Sequence, residues 1–261
     1  MLTLIGLGLN DERDLTLRGI EAAKKAEKVY CELYTGKWLG SIESLQKILG
    51  KEQVFPLRRQ DLEEGSMKVL EEAKRKDIAI LIQGDPMVAT THSSLLMDAR
   101  KLGIDTRIIH NSSIFSAVAE TGLHIYKFGS TVTIPFLEKT GGKFSKSVYD
   151  AIMRNKMAGL HTLCLLDVGA EGGSFMSPKR AAGILMGMER QFGEGAIEPC
   201  QKIVVFSNAG GDSRTFYGEI EVLDPEISEL TPSVLIIPGK MHFTEEEFLQ
   251  TFGSKRPRIE T

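Results

Sequence analysis

The chain has 261 residues, 26% of them charged and 42% hydrophobic, with a formal net charge of −3. That length gives room for one large core or two smaller ones, and the slightly acidic balance excludes the basic face that non-specific nucleic-acid binding requires. No apolar run approaches the roughly 20 residues that span a bilayer, and the start MLTLIGLGLNDERD lacks the basic region and cleavage site of a secretory signal. The expectation is a cytoplasmic protein with no membrane and no nucleic-acid partner.

Through the first half, short apolar or β-branched runs alternate with segments of helical period. LTLIGL (2–7) is followed by LTLRGIEAAKKAEK (15–28), VYCELY (29–34), SIESLQKILG (41–50), QVFPL (53–57), MKVLEEAKRK (67–76), DIAILIQ (77–83), HSSLLMDARKLG (92–103) and TRIIH (106–110). Such alternation predicts a mostly parallel sheet covered by helices. DIAILIQ and TRIIH are continuous apolar runs, as strands buried on both faces should be. SSIFSAVAETGL (112–123) reads as a helix capped by Ser112 or Ser113.

Beyond HIYKFGSTVT the pattern changes. TVTIPF (131–136), the Gly-rich EKTGGKFSKS, helix VYDAIMRNKM (148–157), strand HTLCLLDV (161–168), helix PKRAAGILMGMERQF (178–192), and strands QKIVVFSNAG (201–210), YGEIEVL (217–223) and SVLIIPGK (233–240) follow, some without helices between them. A mixed sheet is expected there. The two α/β domains are accordingly placed at 1–115 and 116–261, the change falling near residues 112–128, and the polar tail GSKRPRIET is expected to fray.

Cys31, Cys164 and Cys200 are far apart and read as buried, reduced thiols. The five histidines show no i, i+4 pair, so no metal site is expected. Asn111-Ser112-Ser113 matches the glycosylation acceptor pattern by chance for a cytoplasmic chain. Gly142-Lys143 is followed by Phe144, and Leu137 occupies the place of the first glycine, which excludes a P-loop.

Gly6-x-Gly8 directly after a strand, with Glu32 ending the next one, invites a dinucleotide reading and hence an NAD-linked oxidoreductase. The third glycine is missing, however, and Asp11 and Glu12 occupy ground where a pyrophosphate tolerates no negative charge. A glycine turn without ligand and a nucleoside ligand without phosphate both remain open. The corner Gly84-Asp85-Pro86 is distinctive: Gly84 permits a tight strand exit, and Pro86 fixes φ and removes a competing donor. Asp85 is left either as a ligand acceptor or as a turn-forming Asx cap facing solvent.

The runs GLGLNDERDLTLRG, YCELYT, ILIQGDPMVATTH, HNSSIFSAV, GLHIYKFG, GLHTLCLLD and PGKMHFTEEEF, in this order, resemble the tetrapyrrole-methylase-type S-adenosylmethionine methyltransferases. Within that superfamily they resemble the branch that acts in diphthamide biosynthesis. Leu9-Asn10 replaces the Pro-Gly pair of the opening loop in many relatives, which disfavours a tetrapyrrole substrate. The resemblance implies two α/β domains with the cofactor cleft between them, and S-adenosylmethionine, yielding S-adenosylhomocysteine, as cofactor. It places Leu9, Asp85, Val88, Ser113 and Ile114 around that cofactor, with Leu166, Ala209 and His242 from the second half. Core packing is the rival role for Val88 and Ile114, and a satisfied surface histidine that for His242. The implied methyl acceptor is the amino group of the 3-carboxyl-3-aminopropyl arm on a histidine of translation elongation factor 2, and the implied assembly is a homodimer. A non-enzymatic module that binds a nucleoside or docks on that factor is a further reading. No paired carboxylate or Ser/His set stands at a diagnostic spacing, so no catalytic acid or base is assigned.

Overall fold

A computed structural model describes residues 1–169 and 173–253. One compact unit is built on Met1–Ala117, and a second on Val118–Gly169 together with residues 174–253.

The first unit runs β1 (Leu2–Gly6), α1 (Leu17–Lys25), β2 (Lys28–Glu32), α2 (Ile42–Leu49), β3 (Phe55–Leu57), α3 (Arg59–Glu63), α4 (Ser66–Ala73), β4 (Ile78–Ile82), α5 (His92–Lys101), β5 (Thr106–Ile109) and α6 (Ile114–Ala117). Its five strands are ordered β3-β2-β4-β1-β5, and every pairing is parallel. The reason lies in the alternation of side chains across a buried strand. Ile78, Ile80 and Ile82 of β4 join Leu2 and Leu4 in one apolar cluster. Ala79 and Leu81 point the other way and join Ile5 and Leu7 in a second. Both faces are therefore dry, and the β1 and β4 C-terminal ends emerge side by side at the middle of the sheet.

The second unit runs β6 (Val132–Ile134), α7 (Lys146–Met157), β7 (Thr162–Leu166), α8 (Pro178–Phe192), β8 (Lys202–Ser207), β9 (Arg214–Glu219), α9 (Pro225–Ser228), β10 (Ser233–Ile237) and α10 (Phe243–Gly253). Its sheet has the order β6-β7-β10-β8-β9. Only β6 and β7 pair in parallel; β10 with β7, β10 with β8, and β8 with β9 are antiparallel. The chain is thus α/β with a parallel sheet in the first half and a mixed sheet in the second.

Several expectations change. The helix predicted over 112–123 is a single turn, α6, followed by a tighter 3-10 turn over Val118–Thr121. The Ser116 hydroxyl holds the start of α6, accepting from the Ser113 N–H at 3.2 Å and donating to the Ser113 carbonyl at 2.9 Å. The strand predicted over 217–223 starts three residues earlier and ends at Glu219, because its partner β8 sets the register from Lys202 opposite Glu219 to Ser207 opposite Arg214. Helix α10 lies where no element is predicted. Its buried positions, Leu249 and Glu245, include one carboxylate, so no apolar stripe announces it. Cys31 and Cys164 are buried, and desolvation pushes the Cys164 thiol up to about 12. Cys200 is exposed instead, because it sits in the turn before β8 and outside the sheet. Residues 254–261 of the predicted fraying tail lie outside the described residues.

Candidate functional site

The carboxyl ends of β1, β4 and β5 are fastened together by backbone and by two side chains. Gly8 and Gly84 pair as an isolated antiparallel bridge, with Gly84 N–H donating to the Gly8 carbonyl at 2.7 Å. Both glycines have positive φ, +81° and +69°, a region that other residues enter only at a cost of about 1–2 kcal/mol. Gly6 is required for a different reason: a Cβ there would lie 2.5 Å from the Gly84 carbonyl oxygen and 2.6 Å from Asn111 Cβ. Asn111 Nδ2 donates to the carbonyls of Gly6 and Asp14 at 2.9 and 3.0 Å, tying the turn after β5 to the loop after β1.

Above this junction a cavity is lined by residues that include Gly8, Leu9, Thr35, Gln83, Asp85, Val88, Ala89, Thr90 and Ile114. The structure therefore brings Leu9, Asp85, Val88 and Ile114 of the expected residues together. Val88 and Ile114 are half-buried and face this cavity. Ser113 is buried one residue before Ile114.

Asp85 is 6% exposed, so the Asx cap is present but does not face solvent. Oδ1 accepts from the Met87 N–H at 2.9 Å. Oδ2 accepts from the Asn111 N–H at 3.1 Å and lies 2.8 Å from His110 Nδ1. A carboxylate oxygen has two lone pairs, so the turn and a ligand can share Oδ1, whereas Oδ2 is engaged by protein.

The loop after β1 bears on the dinucleotide reading. Asp14 Oδ2 accepts from the Leu9 and Asn10 N–H groups at 3.0 and 2.7 Å. These are donors of the kind that a phosphate would take at a strand-to-helix turn, and a protein carboxylate already holds them. Asp11 and Glu12 are elsewhere occupied, Asp11 by Arg13 at 2.6 Å and Glu12 by the Ser41 N–H at 3.3 Å. Glu32 is fully buried and accepts from the Tyr34 and Thr35 N–H groups and the Thr35 hydroxyl at 2.8, 3.0 and 3.1 Å. Burial raises its carboxyl pKa against those bonds. It braces its own turn rather than presenting an acceptor to a ribose.

Residues with no obvious sequence signal complete the site. Buried His92 has Nδ1 at 2.7 Å from Thr90 Oγ1 and 3.1 Å from the Pro86 carbonyl, and desolvation lowers its pKa. It thereby closes the Pro86–Thr90 segment onto the start of α5. Gln83 Oε1 is buried without a hydrogen-bond partner beside Gly36.

The remaining expected residues belong to the second unit. Leu166 ends β7 and packs on that unit's core. Ala209 lies in the turn after β8, next to Asn208 at φ +53°. His242 is exposed, with Nδ1 2.8 Å from Thr244 Oγ1 and its N–H donating to Glu245 at 2.6 Å. Among the described residues no group of three or more His, Cys, Asp or Glu side chains is placed to hold a metal ion, and no helix is long and apolar enough to cross a membrane.

Residues 1–224 match the model of the Tetrapyrrole (Corrin/Porphyrin) Methylases. The chain belongs to this family and is a methyltransferase. Within it, the chain is 44% identical over 255 residues to diphthine synthase of Methanocaldococcus jannaschii, covering 96% of this chain and 98% of that protein. It is 42% identical over 252 residues to diphthine synthase of Methanococcus vannielii, again covering 96% and 98%. A crystal structure of diphthine synthase superposes with a TM-score of 0.85 at 36% identity, over 96% of this chain and 95% of that one.

Proposed function

We propose that this methyltransferase is S-adenosylmethionine-dependent and methylates the amino group of the 3-carboxyl-3-aminopropyl histidine of translation elongation factor 2. The reading rests on near-full-length similarity to diphthine synthases. The observation that carries it in the structure is the filling of the β1-loop amides by Asp14. A cavity built this way disfavours phosphate and accepts a phosphate-free nucleoside that carries positive charge, which describes S-adenosylmethionine. Leu9, Asp85, Val88, Ser113 and Ile114 are assigned to hold it, and Leu166, Ala209 and His242 carry the same assignment.

The cofactor supplies a methyl group on a positively charged sulfur, whose departure as a neutral thioether makes the carbon electrophilic. The chain's residues then have to bind, orient and exclude water. Gly84 brings backbone close to the ligand, Asp85 and His92 hold the corner in one conformation, and Leu9, Val88 and Ile114 provide dry walls. Alignment of a free amine with the sulfur–methyl bond supplies effective molarity on the order of 10⁵ M or more. No general base is assigned, since a neutral amine attacks without one. The enzyme is read as a cytoplasmic homodimer.

The test is release of S-adenosylhomocysteine on addition of elongation factor 2 carrying the unmethylated arm, with sedimentation to give the assembly. Turnover on that factor and none on the factor without the arm is the expected result. Absence of turnover with the armed factor would reject the reading.

A further inference from the structure

One acceptor atom in the first unit is buried with nothing to accept. Gln83 Oε1 has no hydrogen-bond partner, although an amide oxygen carries two lone pairs. Leaving such an atom unpaired is costly, and folded proteins rarely keep one without a reason. Gln83 directly follows the end of β4 and precedes the Gly84-Asp85-Pro86 corner, and it forms part of the wall of the cavity described above.

The turn after β2 holds this amide in place. A Cβ on Gly36 would lie 2.8 Å from Gln83 Oε1, 3.0 Å from Nε2 and 3.1 Å from Cδ, so the amide rests directly on bare backbone. Thr35 is the preceding residue and lines the same cavity. Its hydroxyl donates to Glu32 Oε2 at 3.1 Å, and its N–H donates to Glu32 Oε1 at 3.0 Å. A threonine hydroxyl has one proton and two lone pairs. With that proton spent on fully buried Glu32, Thr35 Oγ1 has only lone pairs left for a ligand.

Asp85 supplies a third acceptor. Its Oδ2 faces His110 and the Asn111 N–H, while Oδ1 takes the Met87 N–H and keeps a second lone pair. Among the described residues that line the cavity there is no Lys, Arg or His, and the Leu9 N–H is already given to Asp14. The cavity measures about 150 Å³, below the roughly 300–1,000 Å³ of sites that take a whole drug-sized ligand. It therefore admits one portion of the cofactor. Adenine and ribose bring acceptors along with their donors, and a carboxylate brings acceptors alone. An ammonium group brings three N–H donors and no lone pair.

We propose that Thr35 and Gln83 join Asp85 as a three-acceptor cage for the ammonium of the cofactor's amino-acid portion, and thereby make the site selective for a cofactor that carries this group. Thr35 Oγ1, Gln83 Oε1 and Asp85 Oδ1 each take one N–H, and the Asp85 charge adds Coulomb attraction in a partly dry site. This inference rests on the S-adenosylmethionine reading above and adds two residues, with a specific role, to the cofactor site.

The test is calorimetric titration with S-adenosylhomocysteine and with its deamino analogue, which has hydrogen in place of the ammonium. The wild type should bind S-adenosylhomocysteine at least tenfold more tightly than the analogue. Gln83→Leu and Thr35→Val should each weaken S-adenosylhomocysteine at least fivefold without weakening the analogue, and Thr35→Ser, which keeps the hydroxyl, should bind as the wild type does. Gly36→Ala leaves both side chains intact but drives a methyl group into the Gln83 amide, the far end of a flexible side chain that can yield. It should show the same selective loss with the fold retained, as melting without ligand will record. An equal loss on both ligands overturns the cage, because the two residues would then serve another portion of the cofactor or only the shape of the wall. Unchanged S-adenosylhomocysteine affinity in Gln83→Leu or in Thr35→Val overturns it as well. Failure of the wild type to bind S-adenosylhomocysteine is a separate outcome, and it rejects the S-adenosylmethionine reading itself.

Discussion

Asp14 Oδ2 stands 2.7 Å from the Asn10 amide nitrogen, and the same oxygen takes the Leu9 N–H. A phosphate entering this loop would have to displace a carboxylate and would meet Asp11 and Glu12 nearby. NADH should therefore bind at least tenfold more weakly than S-adenosylhomocysteine, a gap of about 1.4 kcal/mol. Calorimetric titration with both ligands checks this, and equal affinities would count against the reading of the loop. Asp14→Ala removes the acceptor from two amides and should destabilise the first unit by roughly 1–3 kcal/mol.

Asp85 joins its own turn to the turn after β5 through Oδ1 and Oδ2 respectively. Asp85→Asn can keep the bond from Met87, but its amide group then confronts the Asn111 N–H with a second donor. The apo protein should lose about 1–3 kcal/mol from that mismatch. If the carboxylate also contacts the cofactor, S-adenosylhomocysteine affinity should fall ten- to a hundredfold, since a charge-assisted bond contributes about 1.5–3 kcal/mol. Melting without ligand and calorimetry with it separate the two effects; an affinity equal to wild type would confine Asp85 to shaping the turn.

His92 has its pKa lowered by burial from the usual 6.5, while the Pro86 carbonyl bond pulls the other way. A histidine that resists protonation only when folded leaves the unfolded chain binding more protons below pH 6.5, so stability falls as pH drops through that value. The melting temperature should decline between pH 7 and 5 with a contribution from His92, and His92→Gln should flatten the decline. Identical pH slopes for the two proteins would show that this ring does not control it.

Glu245 shows the opposite balance. Burial opposes its ionisation, but bonds from the His242 N–H, Lys127, the His124 N–H and His161 outweigh it and hold the carboxyl at about 2, down from 4.5. Its contribution is then complete above pH 4.5 and is lost as pH falls toward 2. Glu245→Gln should weaken the acid limb of the unfolding curve, and Glu245→Ala should cost about 3–5 kcal/mol at pH 7 by leaving Lys127 unpaired. Chemical denaturation at pH 7 and pH 3 checks both; a Glu245→Ala protein as stable as the wild type would remove this cluster as an anchor of the loops that bear His124 and His242.

Local pattern carried much of this protein. The alternation of continuous apolar runs with amphipathic segments, DIAILIQ followed by HSSLLMDARKLG for example, marks a parallel sheet because a strand buried on both faces favours apolar side chains in both directions. Helix α8 coincides with its apolar period from Pro178 to Phe192, since Ser177 caps its start and Gly193 its end. The motifs around Gly84-Asp85-Pro86 likewise carry the family resemblance in local sequence alone.

Other features depended on tertiary contacts that no spacing announces. Asp14 and Asn111 are 97 residues apart, yet both reach into the junction of β1, β4 and β5, because the sheet order sets those strand ends side by side. Glu32 ends a strand where a ribose acceptor would stand, but the turn at Tyr34 and Thr35 encloses its carboxylate. Glu245 reads as one of three consecutive glutamates, and only the folding of Lys127, His161 and the His124 and His242 amides around it makes it a buried anion. Sequence records which groups can ionise or donate; burial and the partners brought from distant segments decide which of them are already satisfied, and so which remain for a ligand.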